Sequence, residues 1–532
     1  MKQKILLLSI IILASLLRLY QLGGIPPHLY WDEASLGYNA YSILETGRDE
    51  HGEFMPVTRF IAFGDYKPPG YVYAAVPFIK IFDLTPLAVR LPSALAGIIT
   101  VFFTYLLVKK LFPVSRISYL VPLLSALLLA ISPWHFMLSR AAFEANLATC
   151  FFVIAVYLLF RFWNNKKITP AIFSAFFFAL TLYTFNSFKI VTPLFLFAFV
   201  ILHVTRLPAT MRALIKPGII FSILLILFLS PLIPYLFNRE SRLRFDEVNI
   251  FKNLSPIEIS NQRRAYQGND FTARLINHRY ILHGSALIKN FFIHLNPSYL
   301  FIRGDGNPRF STQTTGQFYL FEFIPLLIGA YYLIKKHPRL SIFFFAWLLI
   351  SLLPAALARE VPHALRSLGM LPIPQIILAF GIFYLARQSW LKKTLIVLFY
   401  LYFFAFFLHF YYHHYSRTYA HEWQMGHQQL VDKLDQLESD YDQVFITSGY
   451  GRPYIFLLFY TQYPPDQFQQ NVIRDRDWFG FWTVNSFDKY HFEIPSSIPP
   501  NTLMISSNPP GEAQTIDQIE AYNRTYFYLW EP

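Results

Sequence analysis

The sequence predicts a polytopic α-helical membrane protein that ends in a small soluble α/β domain. Three observations carry this. The 532 residues are 54% hydrophobic and only 14% charged, where a soluble domain carries about 25% charged residues. Apolar residues gather in runs of roughly 18 or more, enough to cross a hydrocarbon core of ~30 Å, without the period-2 alternation of a membrane barrel. From residue 413 the composition turns polar, and short helix and strand patterns replace the apolar runs.

The first span covers residues 5–22, behind Lys2 and Lys4, and reads as an uncleaved signal anchor because no small-x-small site precedes Arg18. "GYVYAAVPFIKIF", Gly70–Phe82, is too short to cross at ~1.5 Å per residue and is expected to lie along the outer interface. "LPSALAGIITVFFTYLLVKKLF" then descends to Lys109 and Lys110. Further runs alternate between the outer connections "SPWHFMLSRAAFEAN" and "LYTFNSFK" and the basic connections "RFWNNKK" and "TRLPATMRALIK". A long outer segment rich in Asn, Arg and Gly follows Phe237, and four more runs lead to "FYYHHY". This makes about eleven spans, N-terminus inside and C-terminal domain outside the cytoplasmic membrane, with basic connections on one side. The expected domains are 1–412 and 413–532. In the second, "QLVDKLDQLESDYDQ" reads as an amphipathic helix, "VFITSG" and "TLMISS" as strands and "RPYIFLLFY" as a buried helix.

The net charge of +13 is scattered between spans and forms no nucleic-acid face. A single cysteine, Cys150, excludes an internal disulfide and any cysteine-based metal site.

Three outer elements carry charge at the mouth of the membrane domain. One holds Asp32 and Glu33 in "LYWDEASLGYNAY" and Lys67 before a Pro-Pro pair; the second holds Glu144; the third, "VPHALRSLGMLP", holds His363 and Arg366. Charges at membrane depth are costly and usually face a polar cavity. Each has a plainer reading: solvated loop acids, a lysine that opens a helix, an arginine that snorkels to the headgroups. Taken together they suit sugar transfer from a lipid phosphate. A carboxylate accepts the proton of the attacking hydroxyl and cations hold the departing phosphate. No Gly-rich nucleotide loop is present.

These stretches, "YWDEASLGYNAYSILETGRDEHG", "YKPPGYVY" with "VRLPSALAG", "SPWHFMLSRAAFEAN" and "PHALRSLGMLP", resemble the bacterial GT-C glycosyltransferases that use polyprenyl-phosphate sugars. These enzymes are related to protein O-mannosyltransferases and to the lipid A aminoarabinose transferase. The resemblance spans residues 5–412. It implies a GT-C fold, an inverting single displacement without a catalytic metal or other cofactor, and a place in building the cell envelope. It implies Asp32 as general base with Glu33 beside it, Glu144 as a further acid, and Lys67 on the donor phosphate with Arg366 and its segment-mate His363. The partners implied are a polyprenyl-phosphate-linked sugar and membrane lipids, with no nucleic acid, and an acceptor whose class, lipid, glycan or protein, stays open. The His-Phe and β-trefoil insert of eukaryotic protein O-mannosyltransferases are absent, so a protein acceptor is not implied.

The rival is a lipid or sugar transporter or flippase, which calls for paired broken spans with charges near mid-membrane. Asp475 and Asp477 match a metal-holding Asp-x-Asp but lie in the C-terminal domain, and His413 and His414 end a span. Gly304, Asp305 and Arg309 either line an acceptor entrance or shape a turn.

Overall fold

The computed structural model describes residues 2–112, 117–165, 167–204, 211–387, 389–476, 482–493, 497–511 and 513–532. The chain opens with α1 (Lys2–Leu19), α2 (Trp31–Thr46), the hairpin β1 (Phe60–Ala62) and β2 (Asp65–Lys67), and α3 (Gly70–Phe82). Then come α4 (Pro86–Leu111), α5 (Ile117–Ala130), α6 (Pro133–Leu138), α7 (Glu144–Asn165), α8 (Ile168–Leu182), α9 (Phe188–Val204) and α10 (Met211–Leu229). Five shorter helices follow: α11 (Leu232–Leu236), α12 (Glu240–Val248), α13 (Ser255–Tyr266), α14 (Phe271–Ile276) and α15 (Arg279–Ile293). The last long helices are α16 (Phe323–Lys336), α17 (Pro338–Ala356), α18 (Ile373–Ala386) and α19 (Trp390–His409). Every apolar run read as a span is helical, and α3 has the bounds expected of it. Among the described residues, four helices, α4, α7, α17 and the one running on from α19 to Thr418, are long and apolar enough to cross a membrane by length and composition.

Two compact units emerge. The first comprises Met1–Arg18, Leu95–Ser139 and Glu144–Leu408. Its core is aromatic: Phe152 packs against Phe178, Phe188, Phe195 and Trp347 with ring centroids 4.9–5.8 Å apart. Edge-to-face packing of this kind adds to plain area burial. Parallel helices α16 and α18 touch backbone to backbone, because a Cβ on Gly329 would fall 1.9 Å from the Ile377 carbonyl oxygen. Small residues allow this close approach between helices.

The second unit is Leu19–Ala94, Arg140–Phe143 and His409–Pro532. The C-terminal segment therefore shares one body with the whole first connection, a partnership that the expected boundary at 413 did not include. It contains α20 (Ser416–Thr418), α21 (His427–Leu437), α22 (Pro453–Tyr460), α23 (Pro465–Asn471) and β3 (Gln443–Ile446). The remaining strands are β4 (Ile473–Arg476), β5 (Trp482–Phe487), β6 (Tyr490–His491), β7 (Thr502–Ser506), β8 (Thr515–Ala521) and β9 (Arg524–Trp530). The helices and strands expected here all form. The sheet runs β4-β5-β6-β3-β7-β9-β8, with β3 parallel to β6 and β7 and the other pairs antiparallel. Helix α22 packs on α2, where a Cβ on Gly37 would stand 2.7 Å from Phe459.

Candidate active site

"WDEASLGYNAYSILET", in the first outer connection, forms α2, with Asp32 and Glu33 in its first turn and Gly47 closing it at φ 69°. Carboxylates at the second and third helical positions face the unpaired N–H groups and the positive end of the helix dipole. That spacing was the overlooked signal.

Glu33 is 2% exposed and its two oxygens accept four hydrogen bonds. Oε1 takes Arg90 Nε at 3.0 Å and the Ala142 N–H at 2.8 Å; Oε2 takes Arg90 Nη2 and the Tyr30 N–H, each at 3.1 Å. Arg90, at 0% exposure, spends its other donors on the carbonyls of Leu22, Pro26 and His28 at 3.2, 2.9 and 2.6 Å. All five N–H groups of the guanidinium are used. This clamp ties the chain leaving α1, the first turn of α2, the start of α4 and the Arg140–Phe143 strip into one piece. Arg140 repeats the device, donating from Nε to the Tyr411 hydroxyl at 3.1 Å and from Nη2 to the carbonyls of Tyr20 and Ile25 at 2.8 and 3.0 Å.

Asp32, one residue earlier, is 44% exposed, and Lys67 Nζ reaches its Oδ1 at 2.6 Å. Lys67 is 12% exposed and ends β2, where the hairpin pairs it with Phe60, just before Pro68-Pro69 and α3. The Lys67 backbone is thus held by a strand on one side and a proline-stiffened turn on the other.

The C-terminal segment supports the same helix. Gln424 Oε1 accepts the Trp31 N–H at 3.0 Å, and Tyr38 donates to the Tyr463 carbonyl at 2.9 Å. His28 donates from Nδ1 to its neighbour Leu29's carbonyl at 2.9 Å, while its Nε2 accepts the Gln428 N–H at 3.2 Å. Burial holds the His28 imidazole down at about 4 and that of His427 at about 3. Next to α2, burial also raises the Asp49 carboxyl to about 6.

In the first unit, Glu144 is half-buried and begins α7. Asp305 Oδ2 accepts the Ala364 N–H at 2.6 Å and Oδ1 the Asn307 N–H at 2.8 Å. It thereby ties the "GDGNPRF" turn to the segment of His363 and Arg366. Burial lifts Asp305 to about 6, against the pull of those two N–H groups and of Arg366. Gly304 adopts φ 81° with Ser311 against it, so these residues shape a turn. His363 is buried, stacks on Phe310 at 5.1 Å, and its Nδ1 faces the Arg366 N–H at 3.4 Å. The structure thus brings together Asp32, Glu33 and Lys67 in one unit, and His363 and Arg366 in the other.

Arg90 and Arg140 were missed as named residues, although both sit in quoted stretches; an arginine flanked by apolar runs was the available cue. Asp475 bonds Asn485 at 2.7 Å, whereas Asp477 and the basic connection at 205–210 lie outside the described residues. Among the described residues no three His, Cys, Asp or Glu side chains cluster as metal ligands.

Residues 66–236 match the family model described as dolichyl-phosphate-mannose-protein mannosyltransferase. No curated protein matches the sequence. Among solved structures, the Archaeoglobus fulgidus oligosaccharyltransferase tethered to an acceptor peptide aligns at a TM-score of 0.50 with 13% identity, over 85% of this chain and 63% of that one. ArnT from Cupriavidus metallidurans aligns at 0.49 with 10% identity, over 86% of this chain and 84% of its own. The same enzyme bound to undecaprenyl phosphate aligns at 0.48 with 11% identity. The fold is the GT-C membrane fold, with a β-sheet-bearing C-terminal segment.

Proposed function

We infer that this chain is a membrane glycosyltransferase of the GT-C type, moving a sugar from a polyprenyl-phosphate carrier to an acceptor hydroxyl. The observation that carries the mechanism is the Asp32–Lys67 pair, a half-exposed carboxylate on a clamped helix beside the ammonium of a lysine whose backbone is fixed, 2.6 Å apart. The family model and the fold favour transfer over transport.

In the reaction the acceptor oxygen attacks the anomeric carbon and gives its proton to Asp32. The bond from that carbon to the phosphate oxygen breaks, and the phosphate leaves with the electron pair. One displacement inverts the centre. A base adjacent to the leaving phosphate cannot also stand behind the anomeric carbon, so the resting ion pair opens when donor arrives. Lys67, with a long flexible stem, turns to the phosphate and frees Asp32 to meet the hydroxyl. Glu33, with all its lone pairs committed, positions Asp32 and does not contact substrate. For the other unit the reading assigns separate parts: Glu144 as a further acid, Arg366 as a phosphate cation and His363 as the residue that fixes the Arg366 loop.

The reading puts the reaction on the outer face of the cytoplasmic membrane; the lysines that end α4 (Lys109, Lys110) and α16 (Lys335, Lys336) support it as inside anchors. The acceptor is a lipid, glycan or protein hydroxyl. No metal is required, and turnover is expected to survive chelation by EDTA. The test is purified protein with a radiolabelled polyprenyl-phosphate sugar. Transfer to an envelope acceptor that stops in Asp32→Asn supports the reading; full turnover by that variant removes Asp32 as base.

A further inference from the structure

The last span packs loosely. Only 11% of its apolar window is buried, against 67% for α4 and 72% for α7. Between α19 and helices α1, α5 and α18 lies an open-sided cavity of about 1050 Å³. It exceeds the ~300–1,000 Å³ of typical small-molecule pockets.

Its walls are aliphatic and aromatic, from Leu13, Leu124 and Ile382 to Val397 and Phe404, and among the described residues its lining cations are Arg387 and Lys393. Arg387 follows the last residue of α18 and Lys393 lies in the first turn of α19, so both sit at the same end of the groove. Both side chains are exposed, and among the described residues neither is paired with a carboxylate. That end is the basic end of the bundle: Tyr332 of α16 stacks on Tyr384 of α18 at 3.9 Å, which sets Lys335 and Lys336 at the same level as Arg387.

Length identifies the occupant. From Lys393 to Phe404 the groove follows α19 for eleven residues, a rise of ~16 Å. That is half of a ~30 Å hydrocarbon core, the depth of one leaflet. A soluble metabolite has no use for such walls, and a neutral lipid leaves two cations unanswered.

We propose that this groove holds one anionic phospholipid from the leaflet at the basic end, its chains along α19 and its phosphate on Arg387 and Lys393. The site is independent of the sugar-transfer chemistry and is read without it.

The test is native mass spectrometry of the full chain released from nanodiscs of equal phosphatidylglycerol and phosphatidylcholine, with undecaprenyl phosphate in a second arm. One phosphatidylglycerol should stay bound per chain, at least 10-fold preferred over phosphatidylcholine, and Arg387→Ala with Lys393→Ala should abolish the preference. Both substitutions are at exposed positions, and Leu124→Trp, which fills the groove, should lower lipid occupancy without removing the charges. Equal retention of the two phospholipids, retention unaffected by the double substitution, or no retained lipid would each overturn the proposal. Displacement by undecaprenyl phosphate that depends on Arg387 and Lys393 would overturn the phospholipid assignment and make the groove a carrier site.

Discussion

At Glu33, four donors converge on one carboxylate that is 2% exposed, while one residue earlier Asp32 is 44% exposed and meets Lys67 at 2.6 Å. The two acids share a helical turn and differ in everything that decides a role. A saturated carboxylate has no lone pair to offer a substrate, so Glu33 holds the frame. The other is half-exposed and has a partner on a long, flexible stem. A paired-acid signature in sequence therefore divides here into a buried, saturated member and a half-exposed one, the member proposed as base.

The largest expected effect comes from breaking the frame. Arg90→Ala leaves Glu33 buried without its cation, and truncating one partner of a buried pair costs about 3–5 kcal/mol. Thermal unfolding should shift sharply downward and activity should vanish with it. Arg90→Lys should recover little, because an ammonium cannot reproduce five donors in a fixed fork. If Arg90→Ala kept the wild-type melting temperature, the division between the two acids would collapse.

Asp32→Asn should do the reverse. Loss of a general base lowers kcat by ~10²–10⁴-fold, while a half-exposed position changes stability by only about 0.5 kcal/mol. Turnover and melting measured on the same preparation separate the two acids directly. Lys67→Ala comes next: a charge-assisted bond to the phosphate contributes about 1.5–3 kcal/mol, so the donor KM should rise roughly 10–100-fold. Asp32→Asn, by freeing Lys67, should leave donor affinity equal or tighter. Weaker donor binding in Asp32→Asn would contradict the proposed exchange of partners.

Much of this was legible in the residues, for reasons that differ by region. The helices of the first unit announce themselves because lipid demands long apolar runs. The strands β3 and β7 do so through short β-branched and apolar patterns between turns. The bounds of helix α2 were not legible, since its face packs on α22 and α3 and carries no long apolar run; only the Asp-Glu at its start marks it. The union of the first connection with the C-terminal segment was out of reach. It rests on pairs such as Trp31–Gln424 and Tyr38–Tyr463, nearly 400 or more residues apart, which no local pattern encodes. Arg90 was visible as a letter but not as a hub, because its partners are mostly backbone carbonyls.

The smallest expected effect tests whether that union belongs to the frame. His28 accepts the Gln428 N–H through Nε2, and His427 lies beside it with ring centroids 6.3 Å apart. Burial, more than the nearby Arg90 charge, depresses His28 to about 4; burial, then His28 itself, brings His427 to about 3. The unfolded chain takes up protons near 6.5 and the folded chain does not, so this stability is whole above pH 6.5 and is lost as pH falls toward 4 and then 3. The slope is about 1.4 kcal/mol per pH unit for each histidine, or roughly 1 kcal/mol each by pH 5.5. His28→Gln should flatten the acid limb of melting temperature against pH while leaving the neutral plateau lower but level. An acid limb unchanged in His28→Gln would mean that the histidines do not join the first connection to the C-terminal segment, and the union would then rest on contacts such as Trp31–Gln424, Tyr38–Tyr463 and Arg140–Tyr411.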